Sequence, residues 1–299
     1  MRTRMYVAAL VLGLSFLLGC NGNQNDGLER FEQIKTEKST GGGVHEHTDP
    51  TVAPKKADEP RKPDEVFKGA PHPSVVLTTR LWSQYYGANG SVYHTDPVLQ
   101  SDVFVTFPNG VYIDLWHSAG LDDANLNSNF GDEVDYTLGW VGKVRDVNVN
   151  VGVSYFDLAA PRLLSGTKGD LIYMYGELSL DLDLGNGHTI KPFLKPEAYL
   201  SANATNEGFE GQVQVGVNHI WQVNESVSFQ HRLAVLADPG FYGFDSGLML
   251  FYSGGVAWKL SDSITLDLPV WKMGTPITSM SDSREFDGAI GVGLTIKLW

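Results

Sequence analysis

From about Val75 to Trp299, apolar and polar residues alternate in segments of roughly ten, the period and length of strands that cross a membrane as a barrel. In one segment Val147, Val149, Val151, Val153 and Tyr155 alternate with Asn148, Asn150, Gly152 and Ser154. In the next, Leu178, Leu180, Leu182 and Leu184 alternate with Glu177, Ser179, Asp181 and Asp183. In the last, Ile290, Val292, Leu294, Ile296 and Leu298 alternate with Gly291, Gly293, Thr295 and Lys297.

The connections alternate as well. Tight turns are read at Pro108-Asn109-Gly110, Arg145-Asp146, Gly185-Asn186-Gly187, Asn224-Glu225-Ser226 and Ser261-Asp262, where Gly and Asn supply positive φ. Longer polar loops are read at about 85–97, 118–132, 159–168, 203–207, 239–246 and 275–284. Five turns and six loops give twelve antiparallel strands, an all-β fold with both barrel termini on the short-turn side. A soluble β-sandwich also alternates. Three features favour the barrel: the secretory N-terminus, the strand length, and aromatics near strand ends (Trp116, Tyr155, Trp221, Trp258, Trp271). Pro192, Pro196 and Pro269 fall inside predicted strands, where proline cannot donate to the ladder, so bulges or strand portions beyond the membrane must accommodate them. Trp299 ends the chain with an aromatic residue one position out of phase with the apolar face.

The N-terminus does not share this rhythm. Arg2 and Arg4 precede an apolar stretch from Met5 to Leu18, which ends in Leu17-Leu18-Gly19-Cys20. This is the form of a lipoprotein signal peptide over 1–20, with Cys20 as the lipid-attachment residue. Cys20 is the only cysteine, so no intrachain disulfide forms. Residues 21–74 carry six prolines, a Gly41-Gly42-Gly43 run and interleaved charges, the composition of a disordered linker. His45-Glu46-His47 in that segment is a poor metal site, and no metal or cofactor is expected. The barrel domain is 75–299, with the tether on the periplasmic side of an outer membrane.

Composition narrows the function. A net charge of -13 excludes a nucleic-acid surface. The polar face presents Asp135, Glu177, Asp181, Asp183, Lys195, Glu197, Arg232 and Asp267 as candidate lumen-lining residues, with Lys191, Gln212, Gln214, Asn218 and Gln230 beside them. Twelve strands make a barrel roughly 24 Å across, leaving about 10 Å or less between opposite side chains. That space is either a narrow channel or a plugged polar core. A Ser–His pair for lipid hydrolysis is not in place: Ser228 and His231 are three apart and point to opposite faces, while His219 approaches His231 across neighbouring strands. The loop from Asp122 to Glu133 is rich in oxygen ligands but, counted from Asp123, has Ser128 in place of the sixth-position glycine and Val134 in place of the twelfth-position glutamate of a calcium loop.

The first hairpins carry Pro97-Val98-Leu99-Gln100, Asn109-Gly110-Val111-Tyr112, Trp116-His117-Ser118, and Glu133-Val134-Asp135 with Gly139. In these short motifs the chain resembles an uncharacterised Gcw-type family of bacterial outer-membrane barrels, over roughly 75–160. The lipobox and long tether depart from that pattern, and Arg80 is not followed by the usual glycine. The resemblance implies fold and location and brings no activity.

Three functions fit. The first is a non-enzymatic outer-membrane lipoprotein barrel that forms a narrow pore or binding channel for small polar solutes. The second is a plugged structural or adhesive barrel whose loops or tether bind a partner. The weakest is a membrane-lipid enzyme.

Overall fold

The computed structural model describes residues 72–87, 89–121, 132–158, 170–202, 210–240, 245–280 and 284–298. The signal segment with Cys20, the tether up to residue 71, loop residues 122–131 and Trp299 lie outside the described residues.

The strands are β1 (Ser74–Trp82), β2 (Tyr85–Tyr86), β3 (Val92–His94), β4 (Val98–Thr106), β5 (Val111–Gly120), β6 (Glu133–Val144), β7 (Val147–Leu158) and β8 (Leu171–Leu180). They continue as β9 (Leu182–Gly185), β10 (His188–Ser201), β11 (Glu210–Asn224), β12 (Val227–Asp238), β13 (Gly247–Ser261), β14 (Ile264–Pro276) and β15 (Asp287–Lys297). All but β2 and β3 form one antiparallel sheet, and β1 pairs with both β4 and β15. That pairing closes the sheet. Because β8 and β9 are two pieces of one stave, the barrel has twelve staves. Both ends meet on the short-turn side, where Leu298 N–H donates to Val75 O at 2.9 Å. Among the described residues no helix is long and apolar enough to cross a membrane.

The short turns fall where glycine and asparagine predict them. Gly110, Asn186 and Gly187 have φ of 85°, 53° and 78°. The three strand prolines sit at breaks in the ladder. Pro192 lies where β10 changes partner from β8 to β9, at Asp181. The β8 register skips Lys195 and Pro196, and β14 shifts against β15 between Asp267 and Val270 around Pro269. The break at Asp181 also interrupts the continuous strand expected from Glu177 to Leu184.

Burial is inverted relative to a soluble sandwich. On β12, Arg232 is 4% exposed while Leu233 is 45% exposed. Leu81, Leu99, Val103, Ile113, Leu138, Val153, Val235 and Ile290 are likewise exposed, while Asp102, Asp114, Asp135, Lys195 and Glu197 are buried. Apolar side chains point out and charged ones point in, as in a barrel solvated by lipid. Trp221 and Trp258 stand on the outer face, but Trp116 is buried on the inner one. It pairs in register with Asp135 and Asp102, so it fills the interior and takes no part in an outer aromatic band.

One inner row shows how large and small residues interlock on the wall. Tyr112, Gly139, Gly152 and Tyr175 are register partners across β5 to β8. The two tyrosine rings lie over the two glycines, and their hydroxyls meet. Tyr112 also donates to Asn150 Oδ1 at 3.0 Å. A Cβ on Gly152 would stand 2.8 Å from the Tyr175 ring, and one on Gly139 would run into Tyr112. Gly139→Val is therefore expected to lower stability by about 1–3 kcal/mol, the usual cost of overpacking, read from the urea midpoint of the refolded barrel.

The loop expected at 85–97 does not stay outside. It forms the β2–β3 hairpin and folds into the barrel mouth. Tyr85 and Tyr86 are buried in one apolar cluster with Trp82, Val98 and Trp116 on one side and Phe193, Leu236, Met249 and Phe251 on the other. The physical reason is its aromatic content. Three tyrosines (Tyr85, Tyr86, Tyr93) gain more from burial against opposite walls than from water.

Candidate functional site

The interior is the place where this fold concentrates chemistry. Four of the candidate residues converge on one stretch of wall. Glu197 on β10 accepts from Lys195 Nζ at 2.7 Å, Gln212 Nε2 at 2.6 Å and Gln214 Nε2 at 3.3 Å, and from the Tyr173 hydroxyl. Gln214 then links this cluster to Arg232, whose Nη2 donates to Gln214 Oε1 at 3.4 Å. Arg232 also donates to Asn218 Oδ1 at 3.2 Å, stands 3.7 Å from Glu177 Oε2, and lies 3.7 Å above the Phe193 ring. The result is one continuous mixed-charge network across β8, β10, β11 and β12.

Strand alternation explains the placement. Lys195 and Glu197 are two apart on β10, so both face inward, and Gln212 and Gln214 face them from β11. All four are almost completely shielded from solvent.

The other candidates sit elsewhere. Asp267 is buried on β14, 3.7 Å from Arg80 Nη2 on β1. Asp135 is buried on β6 between Trp116 and Phe156 in register. Asp181 lies exposed at the short-turn end, bridging Lys143 and Lys191 at 3.2 Å each. Asp183 is exposed on β9 just before the adjoining turn, where its Oδ1 accepts from Gly185 N–H at 2.8 Å. These two acids are thus separate from the buried network.

Several inward residues were not singled out by sequence. Asp102 and Asp114 are buried on β4 and β5, and Lys272 on β14 points into the mouth beneath the hairpin. The signal for the first two was present, since Asp102 sits between Leu99 and Val103 in the same alternation. The hairpin contacts were not legible in that way. Tyr85 donates to Glu133 Oε2 at 2.5 Å, and Lys272 Nζ lies 4.7 Å over the Trp82 ring and 5.8 Å from the Tyr85 ring. Arg284 donates to Asn89 O at 3.0 Å and to Asp245 O at 2.5 Å, and pairs with Asp238. Burial first, then the nearby charges of Glu133 and Asp135, hold the Tyr85 hydroxyl well above its ordinary range, so it remains a proton donor.

Two acids from the oxygen-rich loop already serve the protein: Asp132 accepts from Gly120 N–H at 3.1 Å, and Glu133 accepts from Tyr85. On the outer face His219 does meet His231, with ring centroids 5.7 Å apart. His188 joins them through a 3.0 Å contact to His219, and His231 contacts the Tyr252 hydroxyl at 2.8 Å. Ser228 belongs to the opposite face from His231, so the two do not form a nucleophilic pair.

No protein-family model matches the chain, and no curated protein matches it. Solved structures with a similar fold include the NanC porin, 11% identical over 74% of this chain and 100% of that one, with a TM-score of 0.48. The KdgM porin in complex with disordered oligogalacturonate is 10% identical over 75% of this chain and 98% of that one, with a TM-score of 0.45. An outer membrane channel from Pseudomonas putida F1 is 8% identical over 80% of this chain and 100% of that one, with a TM-score of 0.43.

Proposed function

We propose that this protein is an outer-membrane barrel whose inner wall forms a narrow conduit for small polar solutes, with the β2–β3 hairpin stopping its long-loop mouth. The observation that carries this reading is the buried network from Glu177 to Arg232. A barrel that needed only to be filled would be as stable, or more so, with apolar side chains in place of buried ion pairs. Charges kept on the inner wall fit a lumen that takes up water and solute when the hairpin moves. The mixed signs of Lys195, Arg232, Glu177 and Glu197 give solutes both donors and acceptors along the way.

In planar bilayers the purified barrel is expected to give stepwise currents. Lys191→Gln with Lys195→Gln removes two inward cations and should shift ion selectivity toward cations. Selectivity unchanged in a conducting, heat-modifiable variant would remove these residues from the path.

The second reading is a plugged structural barrel that works through its loops or tether. It draws on the apolar seat of the hairpin around Tyr85 and Tyr86. Absence of current from both the whole barrel and one lacking the hairpin would favour it.

The lipid anchor belongs to the same proposal. Mass spectrometry of the mature protein should find a diacylglycerol-modified Cys20 at the N-terminus, with the tether in the periplasm. An unmodified or differently processed terminus would remove the anchor and leave the barrel untouched. The Gcw-type resemblance agrees with this location and supplies no substrate.

A further inference from the structure

Four polar side chains stand on the face where apolar ones are expected. His188, His219 and His231 lie on the outer face of β10, β11 and β12, and Tyr252 lies beside them on β13. Trp221, Leu233 and Val235 on the same face are exposed, as lipid-facing side chains are. Ionisable side chains against hydrocarbon are costly and mark functional sites. The four make two hydrogen-bonded pairs. His188 Nδ1 and His219 Nε2 are 3.0 Å apart, and His231 Nδ1 is 2.8 Å from the Tyr252 hydroxyl. The His219 and His231 rings are register partners within 11° of parallel, and they join the pairs with centroids 5.7 Å apart. Trp271 closes the far end, 6.0 Å from the His231 ring. Gly254, the register partner of both, leaves them room to close over it, since a Cβ there would stand 2.9 Å from the indole.

Counting hydrogens decides what the row can hold. A neutral imidazole has one N–H and one bare nitrogen, and a phenol has one O–H. Each pair uses one hydrogen in its own bond, so each keeps one donor whichever way that bond runs. Each also keeps an acceptor. The row therefore offers donors and acceptors side by side to the lipid. Acyl chains satisfy neither kind. A headgroup with a phosphate to accept and an ammonium to donate satisfies both. The row also starts at the right depth. His188 opens β10 directly after the Gly185-Asn186-Gly187 turn, and its register partner Trp221 stacks on it with centroids 5.2 Å apart. An exposed indole near a strand end belongs at the level where headgroups meet the barrel. Beyond His231 the outer face of β12 runs on through Leu233 and Val235, where acyl chains lie.

We propose that this row seats the headgroup of an ethanolamine phospholipid from the leaflet on the short-turn side. The phosphate oxygens take the donor that each pair keeps, and the ammonium donates to a bare imidazole nitrogen. The site is on the outer face, so it stands apart from the conduit reading.

The test is native mass spectrometry of the full chain released from detergent micelles. The separate probes are dioleoylphosphatidylethanolamine, dioleoylphosphatidylcholine and monogalactosyl diacylglycerol. The ethanolamine lipid should be retained severalfold better than the other two, because the choline headgroup has no hydrogen to donate and the galactolipid has no phosphate. His219→Phe with His231→Phe keeps flat rings on the lipid face and should abolish that preference. Tyr252→Phe keeps the ring, removes the O–H and should weaken retention severalfold, and it serves if the double variant does not fold. Equal retention of the galactolipid overturns the phosphate contact, and equal retention of the choline lipid overturns the ammonium contact. An undiminished preference in a heat-modifiable double variant overturns the site. A two-barrel species that the double variant dissociates overturns the lipid in favour of a second copy of this chain.

Discussion

Leu233→Arg is expected to destabilise the barrel by about 2–4 kcal/mol in a phospholipid bilayer. Leu233 lies midway along β12 on the outer face and is 45% exposed. In a soluble protein, arginine at such a position would change stability by no more than about 0.5 kcal/mol, because water receives the charge. In hydrocarbon the guanidinium must be desolvated or must drag water and headgroups inward. The effect must also depend on depth. Ile264 is also exposed but opens β14 at the short-turn end, so Ile264→Arg should cost only about 0–1 kcal/mol. Urea unfolding in vesicles measures both. Equal and negligible costs would mean that this face meets water.

Replacing residues 83–97 by a two-residue turn is expected to raise single-channel conductance severalfold over the whole protein. The segment joins β1 to β4, which already pair from Ser74–Thr106 to Trp82–Val98, so its removal leaves the ladder intact. What is lost is the stopper: Tyr85 and Tyr86 in their apolar seat, the Tyr85–Glu133 hydrogen bond, and the Arg284 contact to Asn89 O. Glu133→Gln is the smaller version of the same change. It keeps an acceptor for Tyr85 but removes the charge, and it should raise the frequency of openings with little change in their size. A barrel that folds without the hairpin and conducts no better would show that the obstruction lies in the wall side chains themselves.

Much of the fold was legible in the chain. A period of two names the face of each residue, and turn residues count the staves, so Val149, Val151 and Val153 against Asn148 and Ser154 were enough to orient β7. Of the two ways to accommodate the strand prolines, the ladder uses breaks in register. Loop direction was not legible. A stretch between two strands can fall outward or inward, and the only signal in 85–97 was three tyrosines, which alternation does not weigh. The same limit misplaced Trp116. Proximity to a strand end reads as an interfacial aromatic, but its parity with Asp114 puts it inside. The break at Asp181 was hidden because Leu182 and Leu184 keep the alternation going beyond it.

For the site, the residue types were legible and their grouping was not. Glu177, Lys195, Glu197 and Arg232 could be named as inward from their own strands. That Gln214 joins two of them depends on the register between β10, β11 and β12, which no single strand encodes.

The measurement that tests the central claim most directly is the accessibility of nitroxide labels along β12 in vesicles, with Cys20 replaced by serine. Labels at Leu233 and Val235 should collide freely with oxygen and poorly with a water-soluble nickel chelate. Labels at Arg232 and Ala234 should be shielded from both while the hairpin is in place. A strict period of two with lipid outside and a sealed polar interior is the result this structure predicts. High nickel accessibility at Leu233 and Val235 would contradict it, because the apolar face would then be facing water.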